Sequence, residues 1–131
     1  MFKKTLFIAI MAIAISIPAI SNSAQLEDSL VQLAAEINKS LPGMLTPDMR
    51  IDNAQSIGEK IIYRVSLLNG IHEKIDLSSM QKHMTNFLSN KICHDGKLKP
   101  FIEKGAIFSY SFFEPQGDNI ATIDIGSSVC K

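Results

Sequence analysis

The two cysteines of this 131-residue chain, Cys93 and Cys130, constrain its fold more than any other feature. Joined to each other, they close a loop of 38 residues and tie the end of the chain to its middle. The chain-entropy model gives a loop of this length about 4 kcal/mol of stabilisation. Disulfides persist only in oxidising compartments, so the interpretation of the pair depends on where the protein resides.

The first residues of the chain indicate export. Lys3 and Lys4 precede an apolar run over 6–17 in which Ser16 is the one polar residue, Pro18 ends that run, and small polar residues follow. This order is typical of a secretory signal peptide, and the run is shorter than the about 20 residues that span a bilayer. We predict a signal peptide over 1–24, cleaved after Ala24, and one domain over 25–131. Cleavage after Ser23 and an uncleaved anchor are the alternatives.

Export gives the cysteines a simple interpretation. In the periplasm or outside the cell, two cysteines are most simply one disulfide, Cys93–Cys130. Free thiols, an intermolecular bond and a redox pair are the alternatives. The redox pair is disfavoured because the cysteines do not form a Cys-x-x-Cys motif, and only Lys131 stands beside Cys130 to stabilise a thiolate.

The charge of the exported part argues against nucleic acid. Removing Lys3 and Lys4 with the signal leaves 11 basic and 13 acidic side chains, a net charge of −2. The sequence has no basic block, which nucleic-acid binding requires. We therefore expect a protein partner, and no stable membrane insertion after signal cleavage.

Apolar periodicity predicts the order helix, strand, strand, helix, strand, strand. The first helix carries apolar residues at helical spacing and ends at Pro42-Gly43. Two strands are predicted at about 48–57 and 60–68. A second helix runs from an Asp76 N-cap to near Cys93, and a hairpin follows with its turn at 115–118. We expect one α+β domain with a four-stranded antiparallel sheet, both helices on one face, and a short extra turn at KPFIEKG.

Alternation along the strands predicts a covered and an open face of the sheet. The covered side would hold Ile61, Tyr63, Val65, Leu67, Phe108, Tyr110, Phe112, Ile123 and Ile125. The open side would hold Arg50, Asp52, Ile62, Arg64, Ser66, Ser109, Ser111, Phe113, Thr122 and Asp124. Apolar residues on the open side favour a partner surface; an ordinary mixed surface, or strands slipped by one residue, is the alternative. The candidate partner-binding residues are Arg50, Ile62, Arg64, Ser109, Ser111, Phe113 and Asp124.

No motif in the chain predicts catalysis. His72, His83 and His94 are spaced by 11 residues, which matches no metal motif, and His94 stands directly beside Cys93. Gly-x-Ser-x-Gly and glycine-rich phosphate loops are absent from the sequence. We expect a protein that is not an enzyme and uses no metal or cofactor.

The chain resembles a class of small exported bacterial proteins of uncharacterised function. The resemblance rests on Leu41-Pro42, the Asp48 to Ile51 stretch, Tyr63 within IIYRVSLL, Cys93 closing a helix, Gly105 before FSYSF, and Cys130 closing the last strand. These are positions that define a fold, so the resemblance implies an α+β domain with one disulfide and implies no activity.

The leading hypothesis is a small non-enzymatic binding module, periplasmic or secreted, that acts on an envelope or secreted protein as an inhibitor, immunity factor or assembly accessory. A carrier that holds a small ligand among Tyr63, Phe108 and Tyr110 is the second hypothesis, and a small hydrolase that uses a histidine is the third. A homodimer through the open face is an alternative use of that face.

Overall fold

The computed structural model describes residues 22–68 and 76–130. In chain order the elements are α1 (Asn22–Asn38), β1 (Gly43–Thr46), β2 (Met49–Ile57), β3 (Lys60–Leu67), α2 (Leu77–Cys93), α3 (Lys99–Glu103), β4 (Ile107–Phe113) and β5 (Asn119–Ile125). The strands form one sheet in the order β1-β2-β3-β4-β5. The α+β class is confirmed. Almost all of the predicted signal peptide lies outside the described residues.

Two details of the predicted sheet are wrong. The sheet has five strands, because the chain after Pro42 pairs with β2 as a separate short strand, β1. The sheet is also mixed, since β3 and β4 run parallel, with Tyr63 beside Tyr110. The reason is the connection: α2 and α3 lie between β3 and β4, and a crossover through helices returns the chain in its original direction. The predicted order was helix, strand, strand, helix, strand, strand. The observed order is one helix, three strands, two helices and two strands.

Turn chemistry sets both long hairpins. Gly58 and Glu59 alone connect β2 to β3, and Gly58 has a φ of 58°, which glycine adopts without the strain that a Cβ would bring. Between β4 and β5, Gly117 plays the same part with a φ of 105°. Both hairpins were predicted within about two residues of their observed limits.

The core lies between the sheet and the two long helices. Buried apolar residues of α1 and α2 join one cluster with all nine residues predicted for the covered face. The helices contribute Leu26, Leu30, Ala34, Met80, Met84, Leu88 and Ile92 to that cluster. Both helices therefore pack on the same side of the sheet, as predicted, and the opposite side has no helix over it among the described elements.

Polar contacts at one end of each long helix stabilise the helix layer. Asp76 caps α2 by accepting a hydrogen bond from the backbone N–H of Ser79, which confirms the predicted N-cap. At the end of α1, the Asn38 side chain donates to the carbonyl of Ala54 at 2.7 Å and accepts from its N–H at 2.8 Å. The side-chain amide of Asn38 thus pairs with both backbone groups of Ala54, which fixes the end of α1 against β2.

The disulfide joins the helix layer to the end of the chain. Cys93 ends α2 and is bonded to Cys130, with the two Cα atoms 5.3 Å apart. Both cysteines pack against the core. The predicted pairing is confirmed, and no described cysteine is free.

Candidate functional site

The open face is the side of the sheet that points away from α1 and α2. Cross-strand partners place Met44 beside Arg50, Arg50 beside Ser66, and Ser66 beside Phe113. Directly opposite residues project to the same side of a sheet, so these four side chains form a row across β1 to β4. The open face thus combines two features, a charged cluster and apolar side chains around it.

The charged cluster consists of Arg50, Asp52, Arg64 and Ser66, and we call it the arginine cluster. The Nε atom of Arg50 donates to Asp52 at 2.6 Å, and the Nε atom of Arg64 lies 3.8 Å from the other carboxylate oxygen. The hydroxyl of Ser66 also donates to this carboxylate. One carboxylate therefore faces two guanidinium groups.

A break in strand register creates this arrangement. Ile51 pairs with Val65, but the next paired residue of β2, Asn53, is opposite Arg64. Asp52 is the extra residue of a β-bulge, which redirects a side chain locally. Because of the bulge, the carboxylate of Asp52 reaches Arg50 on its own strand and both Arg64 and Ser66 on β3.

The electrostatic surroundings keep Asp52 ionised. Partial burial alone would raise the pKa of Asp52, but the hydrogen bonds from Ser66 and Arg50 and the charges of Arg50 and Arg64 outweigh burial. The pKa of Asp52 therefore lies below its ordinary value of 3.8. At neutral pH the cluster carries two positive charges and one negative charge.

Phe113 supports Arg64 from β4. The guanidinium carbon of Arg64 lies 3.7 Å from the centre of the Phe113 ring, a cation–π contact. Both side chains are only partly buried. The ring limits the positions that the Arg64 side chain can adopt and leaves an aromatic surface at the edge of the cluster.

A second ion pair lies on the same face towards the other end of the strands. Lys60 Nζ on β3 is 3.6 Å from Asp124 on β5. Because β4 lies between β3 and β5, this ion pair spans β4. Ser109 on β4 is opposite Asp124 and is only 3% exposed. Here one positive charge meets one negative charge, so the pair is balanced.

The candidate residues from the sequence are thus distributed unevenly. Arg50, Arg64 and Phe113 lie together at the arginine cluster, and Ile62 and Ser111 are partly buried on β3 and β4 beside it. Asp124 is held by Lys60. Ser109, which the alternation assigns to the open face, is buried beneath its neighbours, and its part in partner binding stays a prediction.

Sequence reasoning missed three members of the site, namely Met44, Asp52 and Ser66. Met44 is 56% exposed beside Arg50, but it lies on β1, the strand that was not predicted. Asp52 and Ser66 were assigned to the open face but not to the candidate site, because no sequence signal marks the bulge that brings them together.

On the helix side of the sheet, the three aromatic residues considered for a small ligand pack against one another. Tyr63 and Tyr110 stack with ring centres 4.5 Å apart, and Tyr63 stacks on Phe108 at 6.4 Å. All three are buried. Three surface clefts of about 640, 270 and 180 Å³ are lined by other residues. The space proposed for a small ligand is therefore filled by the aromatic side chains themselves.

The two described histidines, His83 and His94, do not converge. His83 and His94 are exposed on or beside α2, where His94 Nδ1 contacts the carbonyl of Asn90 at 2.9 Å, and His72 lies outside the described residues. Within 22–68 and 76–130, no group of three His, Cys, Asp or Glu side chains is arranged to hold a metal ion. The same residues contain no helix long and apolar enough to cross a membrane.

Comparison with known proteins relates the fold to exported proteins. The sequence matches no protein-family model and no curated protein. A candidate secreted protein of Pseudomonas aeruginosa has a similar structure, with a TM-score of 0.74 and 21% identity over 86% of this chain and 99% of the other. The alignment thus includes nearly the whole of that protein.

Two further structures of similar fold are pilotins of type II secretion systems. The pilotin EpsS of Vibrio vulnificus has a TM-score of 0.71 and 14% identity over 84% of this chain and 96% of its own. The pilotin AspS of Vibrio cholerae has a TM-score of 0.64 and 14% identity over 83% and 95%. At these identities the comparison shows a shared fold. The predicted periplasmic or secreted location agrees with all three neighbours.

Proposed function

We propose that this protein is a non-enzymatic accessory that binds an envelope protein through the open face of its sheet. The observation that carries the proposal is the open face itself, where Arg50, Arg64, Phe113 and Met44 lie side by side and none of the described helices covers them. Aromatic residues, methionine and arginine are the types enriched in protein interfaces.

The shared fold supports the same class of function. Two of the similar structures are pilotins of a secretion system, which are accessory proteins of the cell envelope. The part of the chain that the structure describes brings together no group of residues that suggests catalysis. The predicted signal peptide and the disulfide agree with a location in an oxidising compartment. These observations support an accessory of envelope machinery.

Site-specific photo-cross-linking in the native cells tests the proposal. The full chain would be expressed with a photoreactive amino acid at Ser111 on the open face, or at Lys91 on the exposed side of α2 as the matched control. We expect one envelope protein to cross-link from Ser111 and not from Lys91, because only the first position lies within the proposed interface.

Two aspartate substitutions complete the test. Phe113→Asp on the open face should abolish the cross-link, whereas Phe87→Asp on α2, where Phe87 is 38% exposed, should preserve it. A cross-link that arises only from α2 would contradict the location of the site. A cross-link only between copies of this chain would replace the accessory with a homodimer, and no cross-link from either position would contradict a stable envelope partner.

A further inference from the structure

The two charged groups of the open face differ in net charge, and this difference indicates which chemical group a partner would present to them. Lys60 and Asp124 neutralise each other. The arginine cluster has two guanidinium groups and one carboxylate, which leaves one positive charge over. Such an excess beside a docking surface favours an anionic group on the partner.

The geometry leaves donors for such a group. Both Arg50 and Arg64 approach Asp52 with their Nε atoms. Among the described residues, the terminal guanidinium nitrogens of Arg50 and Arg64 have no hydrogen-bond or ion-pair partner. Guanidinium donors form a fork that matches a carboxylate in two parallel hydrogen bonds. The contacts with Asp52 and Phe113 hold the two arginines in place before a partner arrives, which lowers the entropy cost of binding.

We propose that the arginine cluster receives the side-chain carboxylate of an aspartate or glutamate in the protein partner, with an apolar side chain of the same segment on Phe113 and Ile62. This inference rests on the proposed function and adds the chemistry of the partner. One incoming carboxylate brings the cluster to two positive and two negative charges. Phe113 and the half-buried Ile62 supply the apolar surface next to it.

A membrane surface fits the cluster less well than an acidic segment. Recognition of anionic lipid headgroups relies on groups of about four to eight basic side chains. Among the described residues the open face carries the basic side chains of Arg50, Arg64 and Lys60, and Asp52 and Asp124 compensate for two of them. A single excess charge suits one carboxylate of a protein better than a charged bilayer.

Selection of binding peptides with the purified, disulfide-bonded protein tests the inference. Short random displayed peptides would be selected on protein obtained from cells that express the full chain, with Arg64→Gln as the counter-selection. We expect the enriched peptides to share an Asp or Glu next to an apolar residue. Replacing that Asp or Glu with Asn or Gln should weaken binding about tenfold or more. Because this change is made in the peptide, it leaves the fold of the protein untouched.

Variants of the protein give the matched comparison. Arg50→Gln and Arg64→Gln should each weaken binding of the selected peptide about tenfold, and Lys60→Gln, in the balanced pair, should change it less than about twofold. Binding by the wild type should also weaken as salt is added. Peptides without a shared acidic residue, or equal losses from Lys60→Gln and Arg64→Gln, would overturn the inference. So would a library in which no peptide prefers the wild type.

Two controls separate this inference from other occupants and from the proposed function. Binding of the wild type to phosphatidylglycerol vesicles but to no peptide would assign the cluster to lipid. Concentration-dependent dimerisation that Arg64→Gln abolishes would assign it to a second copy. If the Ser111 cross-link to an envelope protein persists in Arg50→Gln and Arg64→Gln but is lost in Phe113→Asp, the accessory function stands and the carboxylate inference fails.

Discussion

The two faces of the sheet are built from the same strands but from opposite kinds of interaction. On the covered face the side chains of β3 and β4 are buried and apolar, with Tyr63 stacked on Tyr110. On the open face the same strands present Arg64, Ser66 and Phe113, held by ion pairs and a cation–π contact. The covered face stabilises the fold through burial, whereas the partly solvated ion pairs of the open face contribute little stability.

The adjacent residues Phe112 and Phe113 provide the most sensitive test of the difference in stability between the two faces. Phe112 is fully buried on the covered face, and Phe113 lies on the open face. Phe112→Ala should lower the free energy of unfolding by about 3–5 kcal/mol through lost burial and a cavity. Phe113→Ala should cost about 1 kcal/mol or less, because the ring is partly exposed. Urea denaturation followed by circular dichroism measures both, and equal losses would contradict the assignment of faces.

The disulfide tests whether the helix layer depends on the end of the chain. The double variant Cys93→Ala with Cys130→Ala should lower the free energy of unfolding by about 2–4 kcal/mol, because the bond no longer restricts the unfolded chain. Chemical reduction of the wild type should produce the same loss and should leave the double variant unchanged. The open face lies on the other side of the sheet, so peptide binding should survive in the folded fraction. A variant as stable as the wild type would show that the bond is dispensable.

The buried tyrosines predict a loss of stability at alkaline pH. Burial raises the pKa of Tyr63 from 10.0 to about 12, opposed by a hydrogen bond with Tyr110 and reinforced by the charge of Asp95. Burial also raises the pKa of Tyr110. An unfolded chain releases these protons above pH 10, and the folded protein retains them. Stability is therefore full below pH 10 and is lost as the pH rises towards about 12, by roughly 2 kcal/mol for Tyr63.

Denaturation at stepped pH, with Tyr63→Phe as the control, measures this effect. The variant has one fewer titrating group, so its stability should fall less steeply between pH 10 and 12 than that of the wild type. Parallel curves for the two proteins would show that Tyr63 ionises normally and that the covered face is more accessible to water than the structure indicates.

The open face responds at the opposite end of the pH scale, with the smallest expected effect. Because the folded pKa of Asp52 is below 3.8, its contribution is present above pH 3.8 and is lost as the pH falls through the lowered value. The cluster is partly solvated, so we expect a loss below about 1 kcal/mol. Asp52→Asn should remove that dependence, and Asp76→Asn should not alter the part due to Asp52. An Asp52→Asn variant with the unchanged acid profile would contradict the cluster.

The sequence predicted much of the fold because local patterns carry it. The alternation in KIIYRVSLL and FSYSFF assigned each strand residue to a face, since side chains alternate with a period of two. Apolar residues at helical spacing, among them Met80, Met84 and Leu88, form the buried side of α2, although Leu77 and Phe87 at the same spacing are exposed. Half of the candidate site could be read in this way, namely Arg50, Arg64 and Phe113.

What the sequence by itself determined is therefore the two long helices, the four long strands with their two faces, and the pairing of the two cysteines. Tertiary structure alone decided the fifth strand, the parallel pairing of β3 with β4, and the bulge that brings Asp52 between two arginines. The physical reason is that periodicity is a property of one segment, whereas pairing and register depend on which segments meet. Strand order and bulges arise from hydrogen bonds between residues far apart in the chain, and no local pattern records them.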